Sequence, residues 1–484
     1  MTNDKLMKRS ICLFCSLGCS VAFKTAGDQV MAIDYDRDNP VNGGALCPRG
    51  HYNFELLNHP ARLTKPQIGS RQVSWAEALT HLGHKLKEFN PDSVGIVISG
   101  NSSNEDAYIA AKLAKVLGIK NIVAAVDPAD LEAYQGEKSQ VEGAGLASLE
   151  DLDNSEALLI IGDILTRSPV LAKRINKVKY GKRGNQIIVV DPNKTHTAWF
   201  ATQHLRNKPG TEAMLLSALI AVLDPDKAAL NLDTAAGTIG VAKEEIEKAA
   251  KALAAAASGT IIISPASTMA RNDLIVCLAK VLASLTKKKY ITYYGHGNVL
   301  GVNTILDQVV GERSGYTSLL TKIDNGQIKA LLMLGEDITA SSPEQAKKIR
   351  HLKFLAMSNY FTTDSVEDAV LLLPLASHLE CEASYLLAGG RLERSTVVAK
   401  KVGGKSNLEI VAALLNTEMD WQTISRETAE VLKKGISQAA IKIGDKVAEV
   451  PAMGTQETVP EMNITHFGNN SLVKNFYWYR AING

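Results

Sequence analysis

Four of the six cysteines lie within the first 47 residues of a chain of 484 residues. Cys12, Cys15 and Cys19 are spaced C-x2-C-x3-C in "ICLFCSLGCS", and Cys47 follows in "GGALCPRG". Thiolates are soft ligands that bind zinc or iron–sulfur clusters, and a [4Fe–4S] cube is held by four cysteine thiolates. A close trio followed by a fourth cysteine after residues 20–46 favours the cube. We predict that these four cysteines are its ligands.

Two alternatives remain for the cysteine group, namely a zinc site and unliganded thiols. Zinc ribbons usually pair two C-x2-C knuckles across a loop, which is not the spacing here. Glycines beside the cysteines, Gly18 and the pair at 43–44, allow tight backbone turns that aim N–H groups at sulfur. The two remaining cysteines are predicted to be structural: Cys277 lies on the apolar helical pattern "LIVCLAKVLASL", and Cys381 lies in "HLECEASY".

The composition is that of a packed globular protein, with 45% hydrophobic and 21% charged residues. The length suggests about three domains. The chain has 53 basic and 51 acidic side chains, a net charge of +2, which gives no electrostatic footprint for nucleic acid. No apolar run approaches the roughly 20 residues of a membrane span, and "MTNDKLMKRS" lacks the apolar core of a secretory signal. We therefore expect a cytoplasmic protein whose thiols stay reduced.

The elements around the cysteines are predicted from local patterns. Residues 20–38 alternate loosely between apolar and polar, with Gly27 and Asp28 as a turn between two short strands. The cysteine domain is expected to end near Asn58. In "SWAEAL", Ser74 is a helix cap and Glu77 completes a capping box.

Continuous apolar runs then alternate with helical stretches, which indicates parallel sheets covered on both faces. The predicted strands are 94–99, 157–163, 186–192, 260–264, 329–337, 353–359 and 369–374. We interpret them as an α/β protein with two doubly wound units. Ligands of such sheets bind beyond the carboxyl ends of the strands. The residues to examine there are 162–163, 191–192, 335–337 and 358–359.

Together these stretches resemble the molybdopterin oxidoreductase family, in particular formate dehydrogenase large subunits, the large iron–sulfur subunit of complex I and the related subunit of formylmethanofuran dehydrogenase. The resemblance spans about residues 10–410 in the family's order. It is carried by the cysteine motif through "DNPVNGGALCPRG" and by "HPARLTKP", "VSWAEAL", "IGDILTRSPVLAKRI", "IIVVDPNKT", "NKPGTEA", "GHGNVLG", "IKALLMLGEDI", "AVLLLPLASHLE" and "GGRLERS".

The resemblance implies a molybdopterin guanine dinucleotide with molybdenum or tungsten, held between two α/β domains, with the cluster relaying electrons. Arg49 occupies the family's place for a basic residue between cluster and pterin; the alternative is a surface charge. Residues implied to lie near the pterin or its nucleotide arms are Gly162, Asp191, Thr195, Gly210, Thr211, Glu212, Gly335 and Glu336.

The resemblance also guides the predicted domains. They are an iron–sulfur domain (1–58), a discontinuous first α/β domain (59–120 plus 315–415), a second α/β domain (121–314) and a C-terminal extension (416–484).

Two departures from the family bear on function. Formate dehydrogenases have a Cys or selenocysteine metal ligand, followed by His, shortly after the segment resembling "GIKNI". Here that region reads "VAAVDPADLEAYQGEKSQ", with neither Cys nor His. Asp127 or Asp130 could ligate instead, as carboxylates do in some relatives. The family's C-terminal β-barrel is also not visible in the sequence, and we expect it to be missing or truncated.

Three functions are compatible with these features. The first is a redox subunit that keeps the fold and cluster but lacks the usual metal ligand, and that passes electrons to iron–sulfur or flavin partners in a larger complex. The second is an intact molybdenum or tungsten enzyme of formate dehydrogenase type. The third is a structural subunit whose metal serves only folding. The aromatic run Phe476, Tyr477, Trp478 and Tyr479 is either a docking element or a tail packed on its own core.

Overall fold

The computed structural model describes residues 6–228, 230–265, 268, 271–339, 347–361, 370–417, 420–438 and 441–442. The aromatic run at 476–479 and most of the predicted C-terminal extension lie outside these residues. None of the helices within the described ranges is long and apolar enough to cross a membrane.

The N-terminal part of the described chain is a small three-stranded antiparallel sheet. Strands Ser20–Ala26 and Gln29–Asp34 form the predicted hairpin. A further strand, Leu6–Ile11, pairs with the first of these in the register Ile11 opposite Ser20. Two one-turn helices, Pro48–His51 and Glu55–Asn58, follow the fourth cysteine. The sheet and the two helical turns together form the support on which the cysteine loops are held.

A six-stranded parallel sheet forms the core of one α/β unit. Its strands, in spatial order, are Gln203–Leu205, Gln186–Val190, Ala157–Ile161, Gly259–Ile263, Lys289–Thr292 and Gly145–Leu146. The chain moves outward in one direction from the strand Ala157–Ile161 and in the other direction from Gly259–Ile263. The crevice beyond the ends of these two strands is therefore a topological switch point, the position where such sheets bind ligands.

A seven-stranded sheet forms the core of the other α/β unit. Its order is Arg71–Gln72, Gln67–Ile68, Leu371–Pro374, Phe354–Asn359, Ala330–Leu334, Val94–Ser99 and Ile122–Ala125. The last five of these are parallel, and the two short strands at the beginning of the order are antiparallel. The switch point lies between Ala330–Leu334 and Val94–Ser99. The strand Ile122–Ala125 pairs in this sheet, although the predicted boundary at 120/121 would assign it to the second unit.

Helices cover both faces of the sheets, as continuous apolar strands require. Their bounds are Trp75–Lys87, Asn104–Leu117, Pro128–Glu137, Leu149–Asp153, Ile164–Arg167, Ala172–Gly181, His196–Trp199, Glu212–Leu223, Leu232–Ile239, Lys243–Ala255, Asn272–Thr286, Val299–Val310, Tyr316–Asp324, Asn407–Leu414 and Trp421–Gln438. Two short strands, Ser139–Gln140 and Ile441–Lys442, form a separate pair. A hairpin of Ala383–Leu387 and Arg391–Ser395 completes the described elements. The predicted α/β architecture is thus confirmed.

Candidate functional site: a thiol-lined cavity and two switch points

The four clustered cysteines line one cavity. Cys12, Cys15 and Cys19 are buried, and Cys47 is half-buried. The other walls of the cavity are formed by Phe14, Leu17, Leu46, Arg49, Gly50 and residues 168–170. In the described part of the chain, no three His, Cys, Asp or Glu side chains are placed to hold a single metal ion. The thiols instead surround a space, which is the arrangement that a multi-iron cluster needs.

Backbone hydrogen bonds fix the loop that carries the first three cysteines. The N–H of Cys12 donates to the carbonyl of Cys19 at 2.8 Å, which closes the loop. Ser16 donates its N–H to the carbonyl of Tyr294 at 3.0 Å, and its own carbonyl accepts the N–H of Ala388 at 3.0 Å. Gly18 has a φ of +63°, and a Cβ there would lie 2.2 Å from a methyl carbon of Leu387. The loop therefore requires glycine at this position, as its predicted role as a turn beside the ligands suggests.

The protein alone disfavours ionisation of two of these thiols, those of Cys12 and Cys19. Burial is the largest cause that raises the pKa of Cys12, and repulsion from Cys47 and Cys15 adds to it. Burial likewise raises the pKa of Cys19, with further increases from Cys15 and Cys12. These mutual electrostatic effects require that the four sulfurs lie close together. Thiolates at this site thus need cationic compensation.

Two arginines approach the cysteine loop from different sides. Arg49 is buried and donates to the carbonyl oxygen of Phe14 at 3.0 Å and to that of Arg167. Burial lowers the pKa of Arg49, but the thiolates of Cys47, Cys15 and Cys12 outweigh this and raise it. The alternative that Arg49 is a surface charge is wrong. Arg49 lines the cysteine cavity, and its predicted place between cluster and pterin stays a prediction.

Arg391 is the second arginine, and the sequence reasoning missed it. It lies at the start of the second hairpin strand, and its Nη2 donates to the carbonyl oxygen of Leu17 at 2.5 Å. Its positive charge counters the rise in the pKa of Cys19. The only signal in the sequence was its position in the motif "GGRLERS".

A buried ion pair lies where a metal ligand is expected from the family. The side chains of Arg167 and Asp130 form a salt bridge and are 5% and 0% exposed. Asp130 also accepts the N–H of Gly295 at 2.9 Å. Burial raises the pKa of Asp130 to about 6, although Arg167 acts in the opposite direction. Asp127 caps the helix Pro128–Glu137 by accepting the N–H of Ala129 at 2.9 Å, and it lies 3.6 Å from Arg167.

His296, in "GHGNVLG", lies close to this ion pair and was not singled out in the sequence. We call Asp130, Arg167 and His296 the junction. His296 is buried, and its Nδ1 has no hydrogen-bond partner. Burial lowers its pKa, Glu336 and Asp127 act to raise it, and Arg167 and Arg49 act to lower it. These charges come from both α/β units and from the cysteine domain. His296 is therefore a buried side chain that feels charges from all three parts of the fold.

Three buried carboxylates lie near one another beyond the switch point of the six-stranded sheet. Asp191 follows the strand Gln186–Val190, and burial raises its pKa to about 7, with further increases from Asp163 and Glu212. Its Oδ1 accepts the N–H of Asn193 at 2.7 Å. Burial also raises the pKa of Glu212, whose two carboxylate oxygens have no hydrogen-bond partner of normal geometry. This group of carboxylates is rich in acceptors and would suit a ligand that presents N–H or O–H donors.

The remaining predicted residues of this region have local structural roles. Gly162 has a φ of +84° directly after its strand. Thr195 caps the short helix His196–Trp199 by accepting the N–H of Ala198 at 3.3 Å. Gly210 has a φ of +79°, and Thr211 donates to the carbonyl of Lys208 at 2.6 Å. Their role as ligand contacts stays a prediction.

Gly335 and Glu336, the residues predicted for the other α/β unit, lie at the switch point of the seven-stranded sheet. Gly335 follows the strand Ala330–Leu334 with a φ of +74°. The adjacent Glu336 accepts a hydrogen bond from the hydroxyl of Ser99 at 2.8 Å, across the point where strand order reverses. Gly335 also lines a cavity of about 530 Å³ together with Ser99, Ser102, Tyr360 and His378. Glu336 thus joins two strand ends, and Gly335 opens onto a space beside them.

Two family models match the chain. The model described as molybdopterin oxidoreductase matches residues 62–417, and the molybdopterin oxidoreductase Fe4S4 domain matches residues 7–59. This chain belongs to the molybdopterin oxidoreductase family. The predicted resemblance, and the [4Fe–4S] cluster at the level of the domain, are thereby confirmed. That these particular four cysteines are the ligands stays a prediction that the cavity supports.

Among curated members of the family, the F420-dependent formate dehydrogenase subunit alpha of Methanocaldococcus jannaschii is 27% identical over 438 residues. That match covers 78% of this chain and 65% of the relative. A nitrate reductase of Symbiobacterium thermophilum is 30% identical over 243 residues, which cover 46% of this chain and 32% of that protein. The chain spans slightly under two thirds of the length of the formate dehydrogenase subunits that it matches.

Among solved structures, acetylene hydratase from Pelobacter acetylenicus superimposes with a TM-score of 0.66 at 17% identity. The alignment covers 84% of this chain and 69% of that one. At this identity the likeness establishes the shared fold of the molybdopterin oxidoreductase family and nothing finer.

The residues present fit the cofactors that the family implies. Four thiols and a buried arginine surround a cavity at the cysteine domain, as an anionic iron–sulfur cluster needs. Buried carboxylates lie at a switch point, among them Glu212 with its unpartnered oxygens, where the donor-rich nucleotide arm of a pterin would satisfy them. Asp127 caps a helix through its Oδ1 and Asp130 is paired with Arg167, so ligation of a metal by either carboxylate stays an untested alternative.

Proposed function

We propose that this chain is a redox subunit of a multisubunit oxidoreductase. One [4Fe–4S] cluster, held by Cys12, Cys15, Cys19 and Cys47, passes electrons on a molybdopterin-oxidoreductase scaffold that lacks the usual Cys or selenocysteine metal ligand. The single observation that carries the proposal is the thiol-lined cavity beside the buried Arg49.

The absence of a substrate-converting site is supported by the ion pair at the junction. A buried carboxylate that pairs with a buried guanidinium is held by both Coulomb attraction and hydrogen bonds. Drawing Asp130 away to a metal would leave the buried charge of Arg167 with only the more distant Asp127, at 3.6 Å, as a partner, and weakening a buried ion pair is costly. Asp130 is therefore a poor substitute for a thiolate ligand.

The second candidate is an intact molybdenum or tungsten enzyme of formate dehydrogenase type. The buried carboxylates of Asp163, Asp191 and Glu212 favour it, because they could accept hydrogen bonds from a donor-rich nucleotide arm. Further residues that would hold the pterin and its arms are Gly162, Thr195, Gly210, Thr211, Gly335 and Glu336. A bound molybdenum or tungsten pterin would supply two-electron redox chemistry. The third candidate, a structural subunit, would use the same thiols for folding alone.

Partner subunits are part of the proposal. The matched relatives of Methanocaldococcus jannaschii and Methanococcus maripaludis are named as alpha subunits. A cluster that relays electrons needs a donor and an acceptor, and this chain has one recognisable cluster motif. We expect iron–sulfur or flavin proteins to be its companions.

Metal analysis of the purified chain and of its complex tests the proposal. We expect about four irons and matching sulfide per chain, from one cube, and a reducible cluster spectrum. The variant Cys47→Ser should lose most of the iron, whereas Cys277→Ser, outside the cavity, should keep it. Stoichiometric zinc without sulfide, or a cluster that no reductant can reduce within the complex, would favour the structural role.

Formate-dependent dye reduction separates the first two candidates. The isolated chain should reduce no dye with formate, whether or not molybdenum or tungsten is present. Robust turnover by the chain alone would overturn the proposed loss of the substrate site and would establish the intact enzyme instead.

A further inference from the structure

The helix Ala172–Gly181 and the two residues after it are strongly basic. Residues 172–183 contain six basic side chains and no acidic one: Lys173, Arg174, Lys177, Lys179, Lys182 and Arg183. The helix buries an apolar stripe that includes Ile175 and Val178 against the six-stranded sheet. Its opposite face is exposed.

Three of these six basic side chains form ion pairs within the chain, with two carboxylates between them. Arg174 and Lys177 share Asp153 at 2.7 and 3.0 Å, and Lys182 pairs with Glu156 at 2.5 Å. The other three basic residues, 173, 179 and 183, form no ion pair with the described part of the chain. The face therefore keeps a net positive charge after its own acidic neighbours are counted.

Exposed aromatic side chains border these cations. Tyr180 is 75% exposed and Trp199 is 61% exposed. The ammonium of Lys179 lies 5.4 Å from the ring centroid of Tyr180 and 6.0 Å from that of Phe200, the neighbour of Trp199. Tyr, Trp and Arg are the residue types that carry most of the energy at protein interfaces. We call Lys173, Lys179, Tyr180, Arg183 and Trp199 the basic–aromatic patch.

The patch adjoins the least buried corner of the thiol cavity. Cys47 is the half-buried cysteine of the four. The ammonium of Lys173 lies against the loop before it, 2.5 Å from where a Cβ of Gly43 would be. Arg174 donates to the carbonyl of Val41 at 2.8 Å, and Val170, just before the helix, lines the cavity itself. The patch thus begins at the wall of the cysteine site and extends about 15 Å along the helix.

We propose that the basic–aromatic patch is the docking surface for an acidic electron-carrier protein of the ferredoxin type. This inference rests on the proposed function, because it assumes that the cysteines hold a redox-active cluster. The occupant follows from charge complementarity and from the patch's position beside the corner of the cavity nearest to solvent.

The chemistry at this surface is a transfer of one electron. The reduced iron–sulfur centre of the carrier is oxidised by one electron, and the cluster of this chain is reduced by one; the reverse transfer uses the same contact. No bond forms or breaks. Positive charge at the contact steers an acidic carrier, and such steering raises association rates by 10 to 10³-fold at low ionic strength.

Stopped-flow reduction of the cluster-loaded full chain by a purified acidic ferredoxin tests the proposal. The variant combines Lys173→Glu, Lys179→Glu and Arg183→Glu. We expect its second-order rate to fall by about tenfold or more at low salt, with loss of the salt dependence seen in the wild type. A basic cytochrome c should show the opposite change, since its charge is reversed relative to the ferredoxin.

A matched control variant alters the net charge by the same amount at positions outside the patch. Lys87→Glu, Lys115→Glu and Lys120→Glu alter exposed lysines of the other α/β unit, and this triple variant should keep the wild-type rate. Equal rates in both triple variants would overturn the docking proposal, as would patch-dependent binding to phosphatidylglycerol vesicles with unchanged ferredoxin rates. Absence of a reducible cluster in the wild type would instead overturn the proposed function, so the two failures are distinguishable.

Discussion

The carboxylate of Asp191 is expected to destabilise the ligand-free protein at neutral pH. It is 2% exposed, and its pKa is raised from 3.8 to about 7, first by burial and then by Asp163 and Glu212. Between these two pKa values the folded state binds more protons than the unfolded state. Stability therefore falls as pH rises through this window. This is the reverse of a carboxylate whose pKa is depressed by a salt bridge.

The size of the effect follows from the shift. A pKa difference of about 3 units corresponds to about 4 kcal/mol of destabilisation once the group is ionised. At about pH 5 the cost is about 1.7 kcal/mol, so roughly 2.4 kcal/mol should appear between pH 5 and pH 8. Asp191→Asn removes the titration and keeps an oxygen that can accept the N–H of Asn193.

Denaturant unfolding of the wild type and of Asp191→Asn at both pH values measures this difference. We expect the variant to be more stable, by an amount that grows from pH 5 to pH 8 as calculated. Asp28→Asn, on the exposed turn of the first hairpin, removes one charge at the surface and should show no such growth. A constant difference across pH, or a larger gain at pH 5, would refute the assignment of the buried titrating group. Asp191→Asn should also lose affinity for a donor-rich nucleotide if the carboxylates of Asp163, Asp191 and Glu212 bind one.

Two further substitutions test how the structure supports the site. Gly297→Ala would bring a Cβ to 2.7 Å from the carbonyl oxygen of Leu13. We therefore expect a displaced cysteine loop, lower iron content and a loss of stability of about 1–3 kcal/mol. The control Gly237→Ala, where a Cβ would have no atom within 4 Å, should retain its iron. Glu380→Gln leaves the buried Arg62 without its charge partner and should lower the free energy of unfolding by about 3–5 kcal/mol, measured by denaturant titration. A double variant with Arg62→Met should recover part of that loss, and equal stabilities for the single and double variants would contradict this reasoning.

The strands and the cysteine site could be predicted because local composition determines them. Each of the predicted apolar runs contains a strand wherever the structure describes it, since continuous burial on both faces leaves a continuous apolar sequence. The strand Leu6–Ile11 was missed because it reads "LMKRSI" and has no clear period. The capping box at Ser74 is only half formed. Ser74 accepts the N–H of Glu77, but the Glu77 carboxylate pairs with Arg71.

The junction could not be predicted because its residues come from separate segments of the chain. Asp130, Arg167 and His296 are separated by 37 residues or more, and they meet only when separate segments of the second α/β unit fold together. The sequence shows neither Cys nor His in the residues that follow "GIKNI". It does not show that Asp130, the buried carboxylate of this region, forms a salt bridge with Arg167. That ion pair depends on tertiary packing within the α/β unit, which no local pattern encodes.

The burial of Arg49 is itself an argument for an anionic occupant of the thiol cavity. A guanidinium removed from water costs several kcal/mol unless opposite charge compensates it, and thiolates of Cys47, Cys15 and Cys12 are the charges that raise the pKa of Arg49. In the metal-free protein the thiols of Cys12 and Cys19 also resist ionisation, because burial raises their pKa. Both costs are removed together when metal binds, since thiolates form as protons are released and their negative charge then faces Arg49. The same geometry that makes this cavity unfavourable without negative charge makes it selective for a metal–thiolate centre.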